Sequence, residues 1–137
     1  PFTGVAVEKD SNGQKEYELT YKIGKQHGLA TSWWPGGGPK WTEGTFKDGK
    51  EHGLRIEWFE NGQKELETNY RDGKRHGLET LWYSTGQKSG EGNYKDGKRH
   101  GLGTGWYENG QKMVEETRKD GKLISKKGWD EDGNLLE

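Results

Sequence analysis

At 137 residues the chain is long enough for one domain, but only 26% of it is hydrophobic, too little to fill a spherical core. Leu, Ile, Val and Phe number 19 and 33% of residues are charged, a composition that alone would suit disorder; against that stand a formal net charge of −1 and 16 aromatic residues at regular intervals. The absence of cysteine excludes disulfides, thiolate catalysis and Cys-based metal sites.

No apolar run approaches the roughly 18 residues needed to span a bilayer. The expectation is a soluble chain. It opens at "PFTG" without an initiator Met, as a mature or trimmed form would, so the compartment stays open between cytoplasmic and exported.

Residues 1–20 read as a partial N-terminal repeat. Full units begin at Tyr21 ("YKIGKQHGL"), Phe46 ("FKDGKEHGL"), Tyr70 ("YRDGKRHGL") and Tyr94 ("YKDGKRHGL"), spaced by 25, 24 and 24 residues, and a degenerate one begins at Arg118. Such a period marks a repeat architecture, here one domain over residues 1–137 with 118–137 as a terminal cap. Each unit carries two turn signatures: "DG" at Asp48, Asp72, Asp96 and Asp120, and "NG" or a relative at Asn61, Thr85 and Asn109. Both suit two-residue type I′ hairpins, whose central positions need positive φ. Each unit is therefore a hairpin, and the chain an all-β, elongated antiparallel single-sheet meander. It should hold about ten to twelve strands and run roughly 50 Å at about 4.8 Å per strand.

With Asn61–Gly62 and Asp72–Gly73 as central pairs, the expected register sets Phe59 opposite Lys64, Ile56 opposite Glu67, Gly53 opposite Tyr70, Tyr70 opposite Arg75 and Glu67 opposite Leu78. One face then carries Phe46, Tyr70 and Tyr94, with Phe59, Tyr83, Tyr107 and the glycines Gly53, Gly77 and Gly101; a ring over a cross-strand glycine covers bare backbone. The other carries Trp33, Trp58, Trp82 and Trp106, the leucines Leu29, Leu54, Leu78 and Leu102, the histidines, and the glutamates Glu18, Glu43, Glu67, Glu91 and Glu115. The first unit reads "WWPGGGPK" from Trp33 to Lys40, one residue too many. A bulge or widened turn at Pro35 to Pro39 must absorb it if Phe46 is to keep its column.

The stretch "EGNYKDGKRHGLGTGWYENGQ", Glu91 to Gln111, resembles the MORN repeat, and its "ENGQK" turn and 24-residue period resemble the variant found in bacterial proteins, some of them antitoxin-like. The resemblance spans Tyr21 to about Lys119. It implies an extended β-hairpin array used for protein or lipid contacts, without chemistry of its own. Arg55 and Glu79 stand where the eukaryotic repeat prefers glycine, which weakens transfer of phosphoinositide binding.

Four histidines, His27, His52, His76 and His100, recur two strands, about 9.5 Å, apart, too far for two imidazoles to share one metal, and are expected to hydrogen-bond locally. "GNYKDGK", Gly92 to Lys98, imitates part of a phosphate loop, but Arg99 replaces the needed Ser or Thr and a hairpin follows instead of a helix. Repeated glutamates in repeated surroundings give no acid–base asymmetry for glycoside hydrolysis. The expectation is therefore no catalytic residue, metal or cofactor.

The candidate partner-binding residues are Trp33, Trp58, Trp82, Trp106, Leu54, Leu78, Glu67 and Glu91, weighed against a purely structural packing layer. Two functions follow: a non-enzymatic scaffold that binds protein through its aromatic face or edge strands, homodimerisation included, or a module for glycans or lipid headgroups. An antitoxin-like protein that neutralises its partner is a variant of the first. Nucleic acid is disfavoured, because 22 basic and 23 acidic residues interleave and leave no basic stripe. Membrane contact has only the resemblance behind it.

Overall fold

The computed structural model describes residues 1–137, and every regular element in it is a strand. One open antiparallel sheet runs through β1 (Gly4–Lys9), β2 (Lys15–Lys22), β3 (Lys25–Trp33), β4 (Lys40–Lys47), β5 (Lys50–Trp58), β6 (Lys64–Arg71), β8 (Gly77–Trp82), β9 (Lys88–Lys95), β10 (Lys98–Trp106), β11 (Lys112–Lys119), β12 (Lys122–Trp129) and β13 (Leu135–Leu136). The two-residue β7 (Lys74–Arg75) starts the strand that β8 continues, and pairs with β6.

Nothing covers either face. No hydrophobic residue is buried, and the accessible surface is 8698 Å², against roughly 7,300 Å² expected for a compact chain of this mass. Order comes instead from the main chain, with 68 of 86 backbone hydrogen bonds inside strand ladders, and from side-chain columns that tie each unit to the next.

The Asp–Gly turns form as the sequence indicates: Asp48, Asp72, Asp96 and Asp120 all have φ 50°, each followed by a glycine at positive φ. The Asn–Gly turns differ. Asn61 and Asn109 are not at positive φ, whereas Gly62 (87°) and Gly110 (85°) are. Gly62 N donates to Phe59 O and Phe59 N to Gln63 O, which makes a type I turn closed by a left-handed glycine instead of type I′. The three-residue loop moves the ladder by one, so Trp58, not Phe59, faces Lys64, with a bulge beside Glu65.

The register departs a second time inside each unit. Tyr70 faces Arg75 as expected, but Glu67 faces Thr80 instead of Leu78. Two residues are accommodated as a bulge around His76 and Gly77, as they are around His52 and Gly53. An insertion of two preserves side-chain parity, so the faces survive the error. Glycine is required there because the bulge holds it at φ 99° in Gly53 and 90° in Gly77; the aromatics stand opposite, at Gly28↔Phe46, Gly53↔Tyr70 and Gly77↔Tyr94. Covering bare backbone is thus a second role for this pairing.

The extra residue of the first unit sits in its turn. Trp34 N donates to Pro39 O and Gly38 N to Trp34 O, each span one residue longer than at Phe59–Gln63. Phe46 keeps its column opposite Gly28.

Candidate functional site

Alternation along β5 places Leu54, Ile56 and Trp58 on one face, and the ladder carries that assignment across the sheet. Glu18, Thr31, Glu43, Ile56, Glu67, Thr80, Glu91, Thr104 and Glu115 form one continuous cross-strand row on the same face. Trp33, Trp58, Trp82 and Trp106 each close a strand beside this row, each opposite a lysine, Lys40, Lys64, Lys88 and Lys112. All eight sequence-selected residues therefore share one face.

The lysines bind the row to the rings. Lys15–Glu18 and Lys40–Glu43 meet at 2.6 Å, and Lys64–Glu67, Lys88–Glu91 and Lys112–Glu115 at 2.8 Å. Lys15 lies 5.5 Å over the Trp33 ring, and Lys64 and Lys112 lie 5.8 Å over Trp82 and Trp129. The Lys112 hydrogen bond holds the Glu115 carboxyl below its ordinary range. The tryptophans are half-buried by these neighbours, while the leucines are not: Leu29, Leu54, Leu78 and Leu102 remain 48%, 41%, 45% and 52% exposed.

At the turns, the columns become hydrogen-bonded joints repeated every 24 residues. Tyr83 Oη donates to Trp106 O at 2.7 Å and Tyr107 Oη to Trp129 O at 2.9 Å. Asn61 Nδ2 donates to Ser84 O and Asn109 Nδ2 to Glu131 O. A MORN repeat variant model matches residues 2–22, 51–72 and 75–96, and a MORN repeat model matches 20–38 and 91–112. The chain belongs to the MORN repeat family. Repeats of this kind commonly mediate protein or membrane interactions. No curated protein matches the chain.

In this MORN repeat protein the histidines join units. Nδ1 of His27, His52 and His100 each accepts from the backbone N of Asp48, Asp72 and Asp120 at 3.3 Å, in the next unit's turn. No three His, Asp or Glu side chains converge as metal ligands would. Asp96 and Gly97 of the phosphate-loop imitation form the β9–β10 turn, where Gly97 N is already bonded to Arg75 O.

The opposite face holds a feature the sequence reading passed over. Gly90 pairs with Gly105 and Gly92 with Gly103 across β9 and β10. The outer neighbours of these pairs are Leu81 and Glu79 on β8, and Val114 and Glu116 on β11. The result is a depression of about 220 Å³, which Tyr94 and Arg99 also line. Its signal is the alternation "GEG" and "GLGTG", which falls in the stretch that resembles the MORN repeat and reads there only as part of that resemblance. The corresponding residues one period earlier, Leu66, Thr68, Glu79 and Leu81, all carry side chains.

The charges at its rim are unequally engaged. Glu116 is held by Arg118 at 3.1 Å and by Lys126 at 3.6 Å; burial opposes its ionisation, but these cations prevail and its pKa is lowered. Arg75 is tied to the tyrosines: bonding to Tyr70 first, and to Tyr94 as well, raises its pKa, and the guanidinium lies 5.2 Å over the Tyr94 ring. Arg75 Nε stands 3.5 Å from Glu79 Oε2, which is buried and accepts no hydrogen bond.

Proposed function

We propose that this chain is a non-enzymatic interaction scaffold whose Trp–Leu face receives a protein partner. The observation that carries this reading is the leucine column: four equivalent side chains, 41–52% exposed, beside half-buried tryptophans on a face with no covering layer. Isolated exposed leucines are ordinary, whereas a regular apolar stripe rimmed by charge is what interfaces present. Trp33, Trp58, Trp82 and Trp106 are the aromatic anchors, Leu54 and Leu78 the apolar floor, and Glu67 and Glu91 polar contacts that their lysines hold in place.

Repetition also argues against an enzyme. Equivalent glutamates paired with equivalent lysines provide no unlike acid and base, and no unique convergent set of groups lies on this face. A glycan or lipid-headgroup module would use the same rings as subsites, and an antitoxin-like protein would use them to occlude its target. Balanced, interleaved charge disfavours nucleic acid.

The free edges favour a second copy as an alternative protein partner. β13 pairs only Gly128 and Trp129 of β12, leaving Leu123 and Ile124, 49% and 61% exposed, on an edge strand. In this reading residues 1–137 act as one domain and 118–137 as an incomplete cap.

Affinity capture from the native host's lysate, run beside a glycan array and liposomes with anionic headgroups, tests the proposal. A protein retained by the wild type and lost in Trp58→Ala/Trp82→Ala supports it. Retention only on glycan or liposome would replace it with the ligand-binding reading.

A further inference from the structure

The glycines flooring the depression are not demanded by the backbone. Gly90, Gly92, Gly103 and Gly105 are absent from the residues at positive φ, unlike Gly53, Gly77 and Gly101. At Gly92 an added Cβ would lie 3.6 Å from Arg99 Nη2 and 3.7 Å from Gly103 Cα, which is ordinary contact. Glycine in a strand interior weakens the sheet. Within this two-by-two block, Gly92 and Gly103 keep open a space that alanine or threonine would fill.

The space has apolar and polar walls. Leu81 and Val114 lean over its Gly90–Gly105 end, at 3.4 and 2.9 Å from where those Cβ atoms would stand. Toward the Gly92–Gly103 end stand Glu79 and Arg99. The Glu79 side chain is only 10% exposed, and its Oε2 has no hydrogen-bond partner. A buried carboxylate oxygen in that condition is costly unless a donor reaches it. Arg99 is 49% exposed and touches Glu116 only at 3.8 Å, so its donors are not engaged either.

The Glu79 carboxylate, whose Oε2 lacks a hydrogen-bond donor although Arg75 Nε stands 3.5 Å away, and the unengaged Arg99 guanidinium select the occupant. An ammonium would serve Glu79 but face Arg99 and Arg75 as like charges, and a carboxylate would serve Arg99 but face Glu79 and Glu116. A carboxamide presents an N–H for Glu79 and a C=O for Arg99 in one planar, neutral group. We propose that this depression is a subsite for a partner protein's glutamine or asparagine side chain, whose methylenes lie against Leu81 and Val114. The proposal rests on the protein-scaffold reading and adds to it a residue-specific contact on the face opposite the tryptophans.

The test uses side-chain analogues that carry no backbone amide, for glutamine (propionamide), glutamate (propionate), lysine (n-butylammonium) and leucine (isobutanol), titrated into the full chain with NMR detection of the Gly90, Gly92, Gly103 and Gly105 amides. The expected result is saturable shifts with the glutamine probe alone, with a dissociation constant on the order of millimolar. Glu79→Met and Arg99→Met should each weaken it about tenfold, as loss of one charge-assisted hydrogen bond does, and Gly92→Ala should abolish it while the spectrum stays folded. Equal response to several probes, no response, or shifts that persist in Gly92→Ala would overturn the proposal. Because the probes are small molecules, failure here removes the subsite and leaves capture by the Trp–Leu face to be judged on its own experiment.

Discussion

His52 Nδ1 accepts a hydrogen bond from Asp72 N at 3.3 Å, so the bulge of one unit holds the turn of the next. The same joint recurs at His27–Asp48 and His100–Asp120, and beside each one a turn glycine donates backward, as Gly73 N does to Glu51 O at 2.8 Å. Without a buried core, such joints are where cooperativity between units resides. His52→Ala should lower stability by about 1 kcal/mol, the usual net worth of one hydrogen bond. Urea denaturation read against wild type checks this.

Phe59 is the place where one column lacks its hydrogen bond. Its counterparts Tyr83 and Tyr107 donate to the Trp106 and Trp129 carbonyls, and even Trp34 donates through Nε1 to Trp58 O at 3.3 Å. Phe59→Tyr should add the missing bond to the Trp82 carbonyl and raise stability by roughly 0.5–1 kcal/mol. A thermal melt showing an unchanged or lower midpoint would mean that the column contributes no net stability.

Two glycine substitutions should have opposite signs. Gly53 holds φ 99° within its bulge, so Gly53→Ala should destabilise by about 1–3 kcal/mol through backbone strain. Gly92 lies outside the positive-φ set and has room for a Cβ, so Gly92→Ala should be neutral or stabilising by a few tenths of a kcal/mol. Paired urea titrations of the two variants measure the contrast.

The Glu116 carboxyl provides a pH dependence of known sign. Its folded pKa is lowered by Arg118, Lys126 and Arg99 against the opposing effect of burial. Its contribution is therefore fully present above the ordinary glutamate value, about 4.3, and is lost as pH falls from there through the lowered folded value. Glu116→Gln should flatten the acid limb of the stability curve over that interval and leave its slope at neutral pH unchanged. Melting midpoints of both proteins across pH 3 to 7 provide the comparison.

The columns were legible in the sequence because an even period fixes side-chain parity: Trp58 and Trp82, or Tyr70 and Tyr94, could only share a face once 24 residues separated them. The widened turn at Pro35 to Pro39 was legible for the same reason. The His76–Gly77 bulge was hidden, because an insertion of two leaves the parity test satisfied. The Asn61–Gly62 turn was misread because Asn–Gly suits both a type I′ turn and a type I turn closed by glycine, and the dipeptide does not choose between them. The glycine-floored depression was missed because it belongs to one place in the array, and a repeat alignment emphasises what units share.

The exposed leucines allow the central claim to be tested without disturbing the sheet. Leu54 and Leu78 are 41% and 45% exposed, so Leu54→Lys/Leu78→Lys removes apolar contact area at modest cost to folding, whereas half-buried tryptophans cost about 1–2 kcal/mol each when truncated. The measurement is the affinity of a captured protein partner for wild type and for this folded double variant, by calorimetry at fixed salt. A loss of at least a hundredfold, with the melting midpoint within a few degrees of wild type, is the expected result. Full-strength binding by the folded double variant would contradict the account and show the Trp–Leu face to be only the sheet's own packing.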